Sequence, residues 1–140
     1  MRTVMYALLL ALILASAASA AEPLARTFNA PVDRVWRVTE AALKQLGWDI
    51  DKQDRTIGMI GTDSRRIDGT NWGVYAKDLR HRLTLYVKAA SGNRTTVTVE
   101  RDLFRRERIL WFDNDEPVAT ASGDKRDIER SVLAAIGKAL

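Results

Sequence analysis

The chain has no cysteine among its 140 residues and a single histidine, His81. Without thiols it can form no disulfide, thiol nucleophile, cysteine-ligated zinc site or covalent lipid anchor on cysteine, so its stability must come from an apolar core. A histidine-based metal site needs at least one more histidine, and no serine lies in the strained turn of a catalytic triad. We interpret His81 as a polar strand residue whose protonation the neighbouring charges of Arg80 and Arg82 disfavour.

Long apolar runs are also scarce, and the longest covers Val4–Ala15. It has about twelve residues, whereas a helix that spans a bilayer needs about twenty. Arg2 precedes the run and small residues occupy 18–20, which is the pattern of a cleavable signal peptide. We therefore expect residues 1–20 to be removed and the protein to be periplasmic or secreted. N-terminal sequencing of the exported protein is expected to begin at Ala21.

The excess of basic over acidic residues is small. Lysine and arginine number 22 against 18 aspartates and glutamates, a formal net charge of +4 that falls to +3 when Arg2 leaves with the signal peptide. This balance does not favour nucleic acid as a partner. Residues 21–140 suit one domain that is large enough to bury its own core.

Two segments have the three- and four-residue apolar spacing of amphipathic helices. The first begins near Pro31, because proline tolerates the first helical position, and ends at Gly47. The second follows Asp124, a suitable capping residue. The predicted inward residues are Val32, Val35, Trp36, Thr39, Leu43 and Leu46 in the first helix, and Ile128, Val132, Ala135, Ile136, Ala139 and Leu140 in the second.

Short segments in which apolar and polar residues alternate predict strands. The expected strands are a short one at Arg26–Asn29, two joined by a tight turn at 48–51 and 57–60, and the two arms of a hairpin at 82–89 and 96–100. The hairpin is the strongest of these predictions, because turn residues separate two well-alternating arms. Trp36 and Trp48 are in phase with apolar stripes, so we expect both in the core.

The remaining segments have weaker patterns. We expect the second arm of the hairpin to continue towards Phe112, with a bulge or a turn at 105–108. The polar stretch 63–78 is predicted to be a long loop, and 113–123 another irregular segment. Together the elements predict an α+β domain with two amphipathic helices on one face of an antiparallel sheet, a helix-grip-like arrangement.

Several of these elements carry a resemblance to a known family. They are, in chain order, the Pro31-initiated helix with Val35-Trp36 and Leu43, the Leu46-Gly47-Trp48 segment, residues 54–58, the strand 82–89, the Gly92 turn and the closing helix. They resemble the helix-grip domains of the BamC lipoprotein family. That resemblance implies an accessory role in the outer-membrane β-barrel assembly machinery. The chain differs from the family in lacking the lipidated cysteine and in having room for one domain instead of two.

A second fold shares the same order of elements. The START and polyketide-cyclase-like folds also begin with a similar helix and place helices on a sheet, and they hold apolar ligands between the sheet and a long helix. The similarity to these folds implies an alternative function, the carriage of a small apolar or lipid ligand.

Two groups of acidic residues invite metal or glycosidase hypotheses, and we interpret both as solvated surface. The acidic run 113–116 offers oxygen ligands for calcium, but it lacks the glycine and distal glutamate of an EF-hand loop, and Pro117 ends it. Asp49 and Asp51 share the strand face opposite the apolar one, so with Asp54 they are expected to face solvent. No metal or other cofactor is predicted.

The candidate binding residues are aromatic residues and arginines, which dominate binding hot spots. Trp72 and Tyr75 lie in the predicted loop, and Arg65, Arg66 and Arg80 lie at its ends. We predict that a recognition surface of this protein includes these residues. Alternatively, Trp72 covers the end of the core and the arginines form a solvated face.

Arg101 is a further candidate. In register with Val97 and Val99, it falls on the apolar face of its strand before Leu103, where an unpaired charge is costly. Either a bulge rotates it outward, which we favour, or it meets an acid or an anionic ligand at the sheet edge.

Three classes of function remain. We favour a non-enzymatic periplasmic binding or envelope-assembly module with an envelope protein as partner, because the sequence has a well-patterned scaffold and no reactive constellation. The alternative is the carrier of an apolar or lipid ligand. The third class is an enzyme that uses only aspartate, arginine and tyrosine.

Overall fold

The computed structural model describes residues 23–118 and 126–140. Within these ranges the chain is an α+β structure in which seven strands form one antiparallel sheet beside two helices. The predicted α+β class is therefore confirmed. The strands are β1 (Leu24–Phe28), β2 (Ile50–Asp54), β3 (Met59–Thr62), β4 (Arg65–Asn71), β5 (Tyr75–Ala89), β6 (Thr95–Ile109) and β7 (Phe112–Pro117), and the helices are α1 (Val32–Gln45) and α2 (Asp127–Ala139).

The long hairpin of β5 and β6 forms the centre of the sheet. Its two strands pair in continuous register, from Tyr75 opposite Ile109 at one end to Ala89 opposite Thr95 at the other. Near the β5–β6 turn, β3 pairs with β5 and β1 pairs with β6. At the other end, β4 pairs with β5 and β7 pairs with β6. That end is a four-stranded extension in the order β4-β5-β6-β7.

The helices pack on the half of the sheet that lies away from the extension. Helix α1 contacts β5 and β2, helix α2 contacts β6 and β1, and the helices contact each other. They share one core with alternate side chains of β5 and β6, among them Leu83, Leu85, Val97 and Val99. No residue of β4 or β7 belongs to this core in the described ranges. The two edge strands of the extension therefore lie outside this apolar core.

Helix α1 forms where the spacing predicts it and ends as predicted. Gly47 has a φ of 79°, and its amide donates to the carbonyl of Lys44 at 2.9 Å while the Trp48 amide donates to that of Leu43 at 2.8 Å. These two bonds are the Schellman pattern, which favours glycine because of the left-handed conformation. Trp36 and Trp48 are both buried, which confirms them as core residues.

A few predicted inward residues at the helix ends are exposed. Val32, Leu46 and Ala139 lie in or next to the terminal turns of their helices, where the apolar stripe leaves the sheet. In α2 the core instead includes Leu133 beside Val132 and Ile136. The predicted cap Asp124 and the predicted signal peptide lie outside the described residues.

Three predicted irregular segments are strands. The predicted loop 63–78 contains β4 and the start of β5, and 105–108 continues β6 without the expected bulge or turn. The acidic run 113–116 belongs to β7 and not to an irregular segment. All three lie in the four-stranded extension, which has no helix-covered apolar core. Polar side chains there can occupy both faces, so the alternation that predicts strands is weak.

The turn between β2 and β3 depends on Gly58. This glycine has a φ of 68°, and its carbonyl accepts a 2.7 Å hydrogen bond from the Val87 amide. A Cβ at Gly58 would overlap the carbonyl oxygen of Val87, whereas one at Gly92, with a φ of 69°, meets no atom within 4 Å. Glycine is therefore required at position 58 by both its conformation and its surroundings.

We expect Gly58→Ala to lower the free energy of unfolding by about 2 kcal/mol or more, because it adds a backbone overlap to the cost of a positive φ. Gly92→Ala is the matched control, since it carries only the conformational cost, about 1 kcal/mol. Urea denaturation of the two variants measures the difference. Equal losses would show that Val87 does not constrain position 58.

Candidate functional site

The end of the extension bears two neighbouring turns, and the first connects β4 to β5. The Trp72 amide donates to the Tyr75 carbonyl at 2.8 Å, and the Gly73 amide donates to Asn71 Oδ1 at 2.9 Å. The rings of Trp72 and Tyr75 stack with their centroids 5.7 Å apart and an interplanar angle of 13°. Trp72 is 67% exposed. It therefore does not cover the end of the core, which was the alternative that the sequence left open.

The second turn connects β6 to β7 and lies directly beside the first. The Leu110 amide donates to the Val74 carbonyl at 2.6 Å, and Trp111 contacts Phe112 with ring centroids 5.7 Å apart. Trp111 is 77% exposed, the largest value among the exposed apolar side chains of the described residues. We call the two segments Trp72–Tyr75 and Ile109–Phe112 together the aromatic tip. Its exposed large apolar residues are Trp72, Val74, Ile109, Leu110, Trp111 and Phe112.

Two polar side chains fix the geometry of the aromatic tip from behind. The Tyr75 hydroxyl donates to Glu107 Oε1 at 3.0 Å, and this bond raises the pKa of Tyr75 because the ionised phenol would lose it beside a carboxylate. The Arg108 guanidinium donates to the Gly73 carbonyl at 3.2 Å. Arg108 lies on β6 and Gly73 in the turn between β4 and β5, so this contact joins β6 to the first turn.

The structure does not bring the predicted arginines to Trp72 and Tyr75. Arg65 stacks on Trp48 at 3.8 Å and donates to the Leu46 carbonyl at 2.8 Å, next to the C-terminus of α1. It pairs across the sheet with His81, six residues from Tyr75 along β5. At about 3.4 Å per residue, that is about 20 Å from the aromatic tip. Arg65 is therefore part of the junction between helix and sheet.

Arg66 and Arg80 form a second group on the other face of the extension. Arg80 donates to the hydroxyl of Ser64 at 2.8 Å and to its carbonyl at 3.1 Å, and it lies 3.4 Å from Asp78. Arg66 lies 3.6 Å from the same carboxylate and donates to the Gly69 carbonyl at 2.6 Å. These contacts cross-link β4 to β5. The predicted set of binding residues is thus divided among three places.

Arg101 meets an acid and is not rotated outward by a bulge. Strand β6 keeps its register through Arg101 opposite Leu83, so the favoured alternative was wrong. Arg101 Nε lies 3.2 Å from Glu129 Oε1 of α2, with the two side chains 11% and 7% exposed. The other carboxylate oxygen of Glu129 is buried and makes no hydrogen bond. The pair connects α2 to the sheet at the boundary between the core and the extension.

His81 is buried in β5 beside this pair, with its ring 5.1 Å from that of Trp48. Burial lowers the pKa of His81, and the charges of Arg101 and Arg65 lower it further. The expected direction was right, but its cause was wrong. Arg80 and Arg82 alternate with His81 along the strand and lie on the other face of the sheet.

Acid is expected to destabilise the protein through His81. Its folded pKa lies below the usual 6.5, so as the pH falls below 6.5 the unfolded chain binds a proton that the folded chain does not. Stability is therefore lost with decreasing pH. His81→Gln is expected to reduce the slope of the unfolding free energy between about pH 7 and pH 5. Urea denaturation across that range checks it, and an unchanged slope would contradict the assignment.

The face of the sheet opposite the helices has a polar surface around Phe104. The guanidinium groups of Arg82 and Arg106 lie over this buried ring at 5.0 and 5.5 Å. Arg106 binds both carboxylate oxygens of Asp115 at 2.7 and 2.8 Å, and these bonds hold the pKa of Asp115 below its usual value. The acidic residue 115 is therefore paired across the strands and is not an open calcium ligand.

A shallow cavity of about 430 Å³ lies on this same face, next to β3. Its lining is mostly polar and includes Asp51, Ser64, Arg82 and Asp102. Within residues 23–118 and 126–140, no group of three histidine or acidic side chains has a spacing that could hold a metal ion. The exposed side chains of Asp49, Asp51 and Asp54 confirm that these acids face solvent.

The space between the helices and the sheet is filled by side chains. Val35, Leu43, Leu83, Leu85 and Ile136 are fully buried there. Thr39 is buried among them, with its hydroxyl bound to the Val35 carbonyl. No observation in the described part of the chain supports an apolar ligand at this position.

No family is identified. Neither a protein-family profile nor a curated protein matches the sequence. One similar solved structure is that of an uncharacterised protein from Bacillus thuringiensis, with 12% identity, a TM-score of 0.39, and coverage of 84% of this chain and 96% of that one.

Half of the aromatic tip was missing from the sequence prediction. Ile109–Phe112 has four consecutive large apolar residues, and the sequence predicts that the strand continues towards Phe112. In the structure β6 ends at Ile109 and the chain turns before β7 begins at Phe112. The available signal was its position: the run follows three arginines and a glutamate in 105–108 and precedes the acidic run 113–116. Neither helix of the described chain is long and apolar enough to cross a membrane.

Proposed function

We propose that the protein is a non-enzymatic binding module of the bacterial envelope, and that the aromatic tip is its binding surface. The exposure of Trp72 and Trp111 at adjacent turns carries this proposal. Exposure of large aromatic side chains to water is unfavourable in free energy unless a partner covers them. Contiguous exposed apolar patches mark interaction sites.

The rigidity of the surface supports the same function. The Leu110 amide is bound to the Val74 carbonyl, and Arg108 is bound to the Gly73 carbonyl, so the two turns are held together before any partner arrives. A preorganised surface loses less conformational entropy on binding than a flexible one. The aromatic tip is thus suited to recognition and does not resemble a closing lid.

The envelope location and the fold family belong to the proposal as well. The signal-peptide pattern of residues 1–20 favours export. The helix-grip arrangement of the BamC family is consistent with two helices that share one core with the sheet, and it favours an accessory role in envelope assembly. No reactive constellation in the described residues favours an enzyme, because the candidate acids and arginines are paired with each other or exposed.

Photo-crosslinking in the native envelope tests this function. A photoreactive amino acid at Val74, which is 66% exposed, is expected to form adducts with an envelope component. The matched control position is Ile57, an exposed apolar residue in the β2–β3 turn near the other end of β5. Adducts at position 74 and none at 57 support the proposal. Absence of adducts at 74, or equal adducts at both positions, contradicts it.

A further inference from the structure

We infer that the partner of the aromatic tip is the surface of a lipid bilayer, into whose interfacial region the two turns insert. The inference rests on the proposed function and names the partner of the same surface. Tryptophan and tyrosine are the residues that favour the membrane–water interface, because each has an apolar ring and a polar group. Trp72, Tyr75 and Trp111 lie at the tip, and Val74, Leu110 and Phe112 provide apolar side chains between them.

The distribution of charge fits insertion. The aromatic tip contains no charged residue in either segment. The nearest charged residues along the four strands are Asp68, Lys77, Arg108 and Asp113, two of each sign. Asp68, Lys77 and Asp113 lie behind the turns, where they can remain in water while the turns enter the interface, and the Arg108 guanidinium is bound to the Gly73 carbonyl. The contact is therefore driven by apolar side chains, with little net attraction to anionic lipid.

The backbone of the tip also fits a medium with little water. An unpaired amide or carbonyl is costly in such a medium. The Trp72 amide is bound to the Tyr75 carbonyl, and the Leu110 amide to the Val74 carbonyl. The Gly73 amide is bound by Asn71, and its carbonyl by Arg108. These internal bonds satisfy six of the polar groups that insertion would otherwise leave unpaired.

The size of the tip argues against a stable protein partner on this surface alone. The tip comprises two segments of four residues. A stable protein–protein interface takes about 20–30 residues from each partner, and a second copy of the chain would need a similar area. A few aromatic and aliphatic side chains are enough for reversible contact with a membrane surface.

The backbone conformation of Leu110 also indicates that the second turn contacts an apolar partner. Its φ of 58° is in the left-handed region, where a hairpin turn favours glycine or asparagine. A leucine there is strained, and its side chain is 50% exposed, so the fold gains little from it. An apolar side chain at a strained, exposed position is explained by a partner that covers it.

The test uses the mature protein and two kinds of vesicle, one of phosphatidylethanolamine with phosphatidylglycerol and one of phosphatidylcholine alone. Flotation measures the bound fraction, and lipids brominated at known depths quench tryptophan fluorescence on contact. We expect binding to both kinds of vesicle, with affinities within about threefold, and little effect of added salt, because the nearest charges cancel. We expect quenching by bromines near the head groups and little by those at the bilayer centre.

Two variants remove apolar groups without loss of the fold. Leu110→Asn is compatible with the positive φ, so its melting temperature should be unchanged or higher. Trp111→Ser removes the most exposed aromatic side chain. Each is expected to weaken vesicle binding by about tenfold. The control is Ile57→Asn, which changes an apolar side chain of equal exposure, 49% against 50%, outside the tip. The control should bind vesicles as the unchanged protein does.

The outcomes separate this inference from the proposed function. Vesicle binding that Leu110→Asn and Trp111→Ser weaken, and Ile57→Asn does not, supports the inference. Absence of vesicle binding, or binding that the tip variants do not change, overturns it. If vesicles are not bound while a crosslinker at Val74 forms adducts with an envelope protein, the proposed function stands and the partner is a protein. A concentration-dependent dimer that the tip variants abolish would likewise overturn the lipid assignment.

Discussion

Replacement of Glu129 by leucine is expected to destabilise the folded protein by about 3–5 kcal/mol. The change removes a carboxylate that lies 3.2 Å from the guanidinium of Arg101, a side chain that is 11% exposed. A buried charge keeps its desolvation cost when an opposite charge beside it is removed. Urea denaturation at neutral pH measures the loss as a lower midpoint.

The double variant shows whether the pair or each charge is responsible. Arg101→Met alone should be as damaging as Glu129→Leu, because it leaves a buried carboxylate. Arg101→Met combined with Glu129→Leu is expected to be more stable than either single variant, since apolar side chains of similar size need no desolvation. If the losses of the two single variants simply add, the two side chains do not interact.

Leu43→Ala is the second substitution with a large expected effect, a loss of about 2–5 kcal/mol. Leu43 is fully buried in α1 and belongs to the core that the helices share with β5 and β6. The substitution removes three carbons from a packed interior and leaves a cavity that the rigid sheet cannot close. Thermal or urea denaturation, followed by circular dichroism, measures the change.

Lys44→Ala is the matched control on the opposite face of α1. Lys44 is exposed in the last turn of the helix, where a positive charge is favourable by a few tenths of a kcal/mol. The higher helix propensity of alanine offsets part of that loss, so the variant should be nearly neutral. Comparable losses for the two variants would mean that the helix face is wrongly assigned.

The two proposals concern a part of the molecule that these core variants do not reach. The aromatic tip lies at the far end of the four-stranded extension, outside the core of the helices and the sheet. Its variants should therefore change binding with little effect on stability, and the core variants should do the reverse. Sites that are distant and share no partners act independently.

The candidate site could be predicted only in part. Trp72 and Tyr75 were identified because aromatic residues in a polar, glycine-containing segment are unusual. The sequence does not join Ile109–Phe112 to them, because Ile109 lies 37 positions after Trp72 along the chain. Only the continuous β5–β6 register, which places Tyr75 opposite Ile109, brings the two turns together. The β4–β5 register, with Arg65 opposite His81 and Arg66 opposite Arg80, places these arginines away from the tip.

The sequence is sufficient to predict the α+β class, both helices with the Gly47 end of α1, the burial of Trp36 and Trp48, and the central hairpin. These depend on local chemistry and on the period of apolar residues, which a single chain displays directly. The folded structure was needed to identify the strands of the extension, the pairing of Arg101 with Glu129 and the assembly of the aromatic tip. Each of these depends on contacts between residues distant in sequence. The spacing of apolar residues within one segment does not indicate which other segment it contacts.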